Sequence, residues 1–280
     1  MILVNLIFVL TIQSTALSIT RLVPDEYPGI QSAISDCIDG DTIIVAPGTY
    51  FETINFMGKN IVITSTDPND PEVVAGTIID GDGDGSTVTF ENGETNQAVL
   101  RGFTITGGYG TRNDAFGGGY LWGGGIYCAE ASPTITDNVI ADNHAPFDEG
   151  TNPENYVYGY GAGIGGVVAS PIITRNIIKD NTTYAGAGMF IVGDPKISDN
   201  LIYDNSAFIA GGVIMAGGQL SNNTIVGNDA SFQGGTQFGG NIYIIFDPEF
   251  PSTRIFNNVI CNAGSGGGIV WEGNFSADAI

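Results

Sequence analysis

The chain has 280 residues, 42 of them glycine, and carries 30 acidic against 8 basic side chains for a formal charge of −22. That charge argues against nucleic acid or an anionic membrane surface as a partner, since both would be repelled. Cys37, Cys128 and Cys261 cannot all pair, and without a CxxC or a Cys/His cluster no zinc site is indicated; the three read as small buried hydrophobes.

Ile2 to Ile12 is an apolar run, and small residues follow at Ala16-Leu17-Ser18. This pattern predicts a signal peptide over residues 1–18, with a run too short to span a bilayer, so the mature chain is expected to be secreted or at the cell surface without a membrane span. Residues 19–280 are read as one domain. Ile30, Ala33, Ile34, Cys37 and Ile38 fall on one face of a helix predicted over about residues 30–39 and stopped at Gly40. Such a helix would plug the end of a strand stack. Strands are predicted at Thr42 to Ala46, Phe51 to Phe56, Ile61 to Ser65, Thr77 to Asp80, Val88 to Phe90 and Phe103 to Thr106.

Asp80 to Glu91 reads DGDGDGSTVTFE. Asp80, Asp82, Asp84 and Glu91 stand at the spacing of a calcium-binding loop, where oxygen donors wrap a hard cation. The flanking runs are strands, not helices, so a solvated Asp-Gly turn is the plainer reading. Calcium is the candidate cofactor, and none is required.

From Ser132 a twelve-residue sentence repeats: SPTITDNVIADN, then SPIITRNIIKDN from Ser170, GDPKISDNLIYDN ending at Asn205, QLSNNTIVGN ending at Asn228 and RIFNNVICN ending at Asn262. In each copy two β-branched runs flank a polar break, which predicts two strands meeting at a tight corner. Asn138, Asn176, Asn200, Asn223 and Asn258 occupy those corners, where a left-handed backbone is expected of them. A third run follows glycines, as in GGGIYC at Gly123 and GAGMFI at Gly186. Three strands per repeat, at a closest period of about 23–24 residues, predict a solenoid. Ile and Val dominate over Leu and glycine is too frequent for helices, so the fold class is all-β: a single-stranded parallel β-helix, right-handed by the resemblance given below, with a short N-terminal capping helix.

Stacking predicts three inward ladders: Ile126, Ile164, Met189, Val213, Ile242 and Ile269; Ile135, Ile173, Ile197, Leu220 and Ile255; and Ile140, Ile178, Ile202, Ile225 and Ile260. Another coil starts at Gly266 to Trp271 without a polar cap after it, which predicts a truncated sequence. Asp142, Asp180 and Asp204 fall at equivalent outward positions, either hydrated or sharing a cation.

These repeats resemble the right-handed β-helix repeats of the pectin-lyase-like superfamily, and the glycine-aliphatic strand starts are similar to those of bacterial adhesins and polymorphic outer-membrane proteins. The stretch from Tyr27 through IIVAPGTY to Glu52 looks like the opening segment of pectate lyases and pectin methylesterases. The resemblance implies a fold and names no chemistry.

Three long insertions, Gly107 to Gly124, His144 to Tyr160 and Asp229 to Phe238, leave from the same corner and predict a saddle about 14 Å across. Its walls carry Tyr109, Trp122, Phe147, Tyr156 and Tyr158, beside Asp114, Asp148 and Glu149; its floor is Tyr127, Gly165, Phe190, Ile214, Tyr243 and Val270. Aromatic faces beside carboxylates suit sugar rings, while the competing reading has the rings packing the loops onto the solenoid. The superfamily's lyases and galacturonases place carboxylates, calcium ligands and a basic residue on or beside this floor; here the floor has no acid or base. The expected function is therefore a non-enzymatic, monomeric, adhesin-like module that binds polysaccharide, a cell-surface glycan or a protein surface. The alternative is a polysaccharide lyase or glycoside hydrolase in which Asp114 faces Asp148 or Glu149 across the loops.

Overall fold

The computed structural model describes residues 17–113, 119–147, 157–230, 239–250, 252–264 and 267–271. Most of the predicted signal peptide and the end of the chain lie outside them. Among the described residues no helix is long and apolar enough to cross a membrane.

The chain winds as a right-handed parallel β-helix. One coil shows the plan: Ile172–Thr174 lies in sheet A, Ile177–Lys179 in sheet B and Met189–Gly193 in sheet C. Sheet A stacks nine parallel strands, from Thr20–Val23 to Arg254–Phe256, and sheets B and C eight each. Each strand of these three sheets finds its hydrogen-bond partners only in the coils above and below, so no coil is stable alone.

The three ladders form in the expected register. Ile126 pairs in turn with Ile164, Met189, Val213, Ile242 and Ile269. Ile135, Ile173, Ile197, Leu220 and Ile255 align in sheet A, and Ile140, Ile178, Ile202, Ile225 and Ile260 in sheet B. Apart from the last coil these side chains are fully buried, each contributing about 1.5–3 kcal/mol.

The corner asparagines do something other than the sequence predicts. The left-handed residue is the one before: Asp137, Arg175, Asp199, Asn222 and Asn257 have φ of 54–60°. Asn138, Asn176, Asn200 and Asn223 are buried and form a ladder of amides instead. Asn200 Nδ2 donates to the Ile173 and Ser198 carbonyls and to Asn223 Oδ1, all at 2.9 Å, while its own Oδ1 accepts from the backbone and side-chain amides of Asn176 at 2.9 and 3.1 Å. Every tight corner leaves peptide groups facing inward, and the amide is the side chain with donors and an acceptor to satisfy them. A second amide ladder, Asn143, Asn181, Asn205 and Asn228, lines the exit from sheet B and is continued by Asn241, just before the sheet C strand Ile242–Ile244.

The capping helix runs over Ile30–Asp36, with Ile30, Ala33 and Ile34 buried against the first coils. It ends at Cys37, before Gly40, and Ile38 turns outward at 49% exposure. Gly29 offers no side-chain cap, so Glu52 reaches across from the next coil to accept from the Ile30 and Gln31 amides at 2.7 and 3.0 Å. Arg21 stands in register with Ile43 at the foot of the sheet A ladder. It is buried there against Asp41, at 2.6 Å, and reaches Asp36 at 3.2 Å. A second helix, Pro71–Gly76, is capped by Asp70 and lies on the outside of sheet B. Cys37 and Cys128 are buried free thiols, whereas Cys261 is exposed, against expectation.

Candidate functional site

The two short links read as turns, Thr182 to Ala185 and Ser206 to Ala210, are largely strands. With Tyr120–Trp122 and Tyr158–Tyr160 they form a fourth, outer sheet, which Thr111–Asn113 joins antiparallel and His144–Ala145 joins beside Thr182–Thr183. In each coil the chain leaves sheet B at a left-handed residue (Asp142, Asp180 or Asp204), passes a ladder asparagine and runs along the outer layer. A second left-handed residue, Gly161, Gly186 or Ala210 respectively, then turns it back into sheet C.

This layer covers the predicted saddle floor. Tyr127 and Ile214 are 2% and 1% exposed, and Trp122, a predicted wall residue, is 2% exposed and packs inward from the layer against Tyr127. Trp122 meets Tyr160 edge-on at 5.0 Å and Phe190 at 5.2 Å; Tyr243 packs with Ala185, Ala210 and Ile214. Burial, with Tyr120, Tyr184 and Tyr158 near, raises the Tyr160 hydroxyl well above the usual phenol range. Burial likewise raises Tyr127, although Asn113 donates a hydrogen bond to its hydroxyl.

Outside this packed row lies a second, half-buried one. Phe147 is 5.5 Å from Tyr158 and 4.8 Å from Tyr184, Tyr158 meets Tyr184 edge-on at 4.9 Å, and Tyr184 stacks on Phe208 at 5.2 Å with 14° between the planes. Tyr109 is 44% exposed, with its ring 6.0 Å from that of His144. Burial holds the His144 imidazole below its usual proton affinity, despite a hydrogen bond donated to the Thr182 backbone that acts in the opposite sense. Asp114, Asp148, Glu149 and Tyr156 lie outside the described residues.

Residues 54–244 match the model of a family described as a protein of unknown function, DUF1565. The chain belongs to the DUF1565 family. No curated protein and no solved structure matches it. The DUF1565 match begins at Ile54 and ends at Ile244, both on sheet C, so it covers whole coils and all of the outer sheet's described strands.

Within the DUF1565 span the carboxylates of the Asp80 loop do not converge. Asp80 Oδ1 accepts the Asp82 amide at 3.0 Å, closing a turn, while Glu91, beyond the strand Val88–Phe90, accepts from Asn55 at 2.9 Å. Among the described residues no three His, Cys, Asp or Glu side chains gather to hold a metal. Asp142, Asp180 and Asp204 are exposed corner residues, and Asp180 pairs with Lys179 at 2.7 Å.

Tyr184 and Phe208 escaped the sequence reading because they sit in four-residue runs, TTYA and SAFI. The signal was present: in both, the aromatic takes the third place, three residues after a ladder asparagine, Asn181 or Asn205.

Proposed function

We propose that the chain is an exported, non-enzymatic β-helix scaffold of the pectin-lyase-like kind that binds carbohydrate through its outer sheet. The observation that carries this reading is the row Phe147, Tyr158, Tyr184 and Phe208: half-buried rings, held rigidly by one another, on the layer that covers sheet C. Pyranose rings present C–H faces to such surfaces, and the insertions bearing Asp114, Asp148, Glu149 and Tyr156 start from the same layer and would add hydroxyl partners. A non-enzymatic role is supported by the burial of Tyr127 and Ile214, which closes the outward side of sheet C to substrate.

Affinity electrophoresis against neutral and uronic-acid polysaccharides tests this. At least one polysaccharide is expected to retard the protein, and Tyr184→Ala and Phe208→Ala are each expected to weaken retention about tenfold, the loss of one ring contact of ~1.4 kcal/mol. Retardation by none, or unchanged retention in both variants, overturns it. Reproducible release of reducing ends or unsaturated product that is lost in Asp148→Ala would replace it with the hydrolase or lyase reading.

A further inference from the structure

Sheet A has a mixed outward face, with the hydroxyls Thr136, Thr174, Ser198 and Ser221 aligned in one column, and sheet C is covered by the outer sheet, but sheet B has an apolar outward face. One column on it runs Ile78, Thr104, Val139, Ile177, Leu201, Thr224 and Val259, and a second runs Ala141, Lys179, Tyr203, Val226 and Cys261. At its first coils the chain covers this face itself. The helix Pro71–Gly76 buries Val74, and the Val74 carbonyl accepts from Thr104 Oγ1 at 3.0 Å. Beyond Thr104 the same column continues from Val139 to Val259, with Leu201 36% and Val259 58% exposed. One edge of the uncovered stretch is bounded by the exposed corner carboxylates Asp142, Asp180 and Asp204; among the described residues Asp142 and Asp204 make no ion pair.

We propose that this stretch of sheet B is a docking surface for an amphipathic helix of a protein partner, apolar on one face and lysine- or arginine-rich along one flank. The helix Pro71–Gly76 shows how a helix sits on the column. The acidic edge selects the sign of the flank, because a basic side chain there would meet Asp142 and Asp204. Four inter-strand steps of about 4.8 Å give a stretch about 19 Å long, which takes about 13 helical residues at ~1.5 Å each. A second copy of this chain is disfavoured by the charge of −22 on each molecule. The proposal is independent of the carbohydrate reading, which concerns a different face.

The test uses the full chain with labelled isoleucine and leucine methyls, titrated with a 14-residue synthetic helical peptide bearing leucines on one face and lysines on one flank. The Ile177 and Leu201 methyls are expected to shift saturably, and a glutamate-flanked version of the peptide is expected to leave them in place. Ile177→Asn with Leu201→Asn should weaken binding at least tenfold. Should that double variant fail to fold, Asp142→Asn with Asp204→Asn keeps residues that tolerate the left-handed backbone while removing the charge, and should weaken binding at least fivefold. Tyr184→Ala should leave it unchanged. Undiminished binding in these charge or apolar variants overturns the proposal, as do shifts confined to other faces. So does concentration-dependent broadening of the Ile177 and Leu201 methyls without peptide, which would give the face to a second copy.

Discussion

Gly165 lies directly beneath Gly123: a Cβ added at Gly165 would stand 2.3 Å from the Gly123 amide nitrogen. The missing side chain in the sheet C column between Tyr127 and Phe190 is what lets the outer strand descend and bury Trp122. Gly165→Ala is therefore expected to lift the outer sheet locally without unwinding the coils, at about 3 kcal/mol or less. Trp122 should become accessible to acrylamide and its emission should shift red, while far-ultraviolet circular dichroism stays that of a β protein.

The amide ladders make a graded prediction. Asn200→Ala removes an amide that bonds the Ser198 carbonyl of its own coil, and the Ile173 carbonyl and the Asn176 and Asn223 amides of neighbouring coils. With buried groups left unpaired at about 1–3 kcal/mol each, a loss of about 3–5 kcal/mol is expected in denaturant unfolding. Asn258 does the same work at a more exposed position, so Asn258→Ala should cost clearly less. Equal losses would mean that the ladder is not what holds the corners.

Arg21 and Asp41 close the foot of the sheet A ladder. Burial alone would raise the Asp41 carboxyl, but the Ile38 and Ile19 amides and Arg21 together hold it below its ordinary value of 3.8. A carboxylate lowered in this way stabilises the fold above its unfolded pKa, and that stability is lost as pH falls through the folded value. Asp41→Asn should lower the thermal midpoint at pH 7 and flatten the acid limb of the stability curve below pH about 4. Arg21→Met, which leaves the buried Asp41 carboxylate without a cation, should cost about 3 kcal/mol or more, whereas Asp41→Ala leaves Arg21 its contacts with Asp36 and should cost less.

His144 works in a separate window. Its imidazole binds a proton less readily in the folded chain than its ordinary value of 6.5, because of burial. The unfolded chain therefore takes up the proton first, and stability falls as pH drops below about 6.5. The lowered carboxylates keep their charge until pH is well below that. Comparing melting at pH 7.5 and 5.5 isolates the imidazole: the wild-type midpoint should fall more than that of His144→Gln. Parallel behaviour of the two would show that His144 is not proton-coupled to folding.

The solenoid frame was written plainly in the chain. Ile135, Ile173 and Ile197 repeat at the same place in each sentence because the core demands an aliphatic residue there in every coil. The role of Asn138 and its successors was misplaced by one residue, since a left-handed backbone and a buried amide both favour asparagine and the sequence does not separate them. The final Asn of each of the first four repeats carried a second ladder that went unread, for the same reason. The outer sheet was illegible because its strands are two to four residues long, too short for alternation to stand out, and because the burial of Tyr127 depends on what crosses above it. Of the candidate site, the aromatic character of the walls could be read; which rings are buried and which half-exposed could not.

The two ends of each outer excursion are pinned, at Asn143, Asn181 or Asn205 on leaving and at the left-handed residue before sheet C on returning. Between those anchors the span from Asn143 to Gly161 is far longer than that from Asn181 to Gly186, yet the coils beneath keep one pitch. Such an arrangement separates what must stay constant from what is free to vary: new loops of different length and chemistry could be grafted there, and the winding underneath would not register the change.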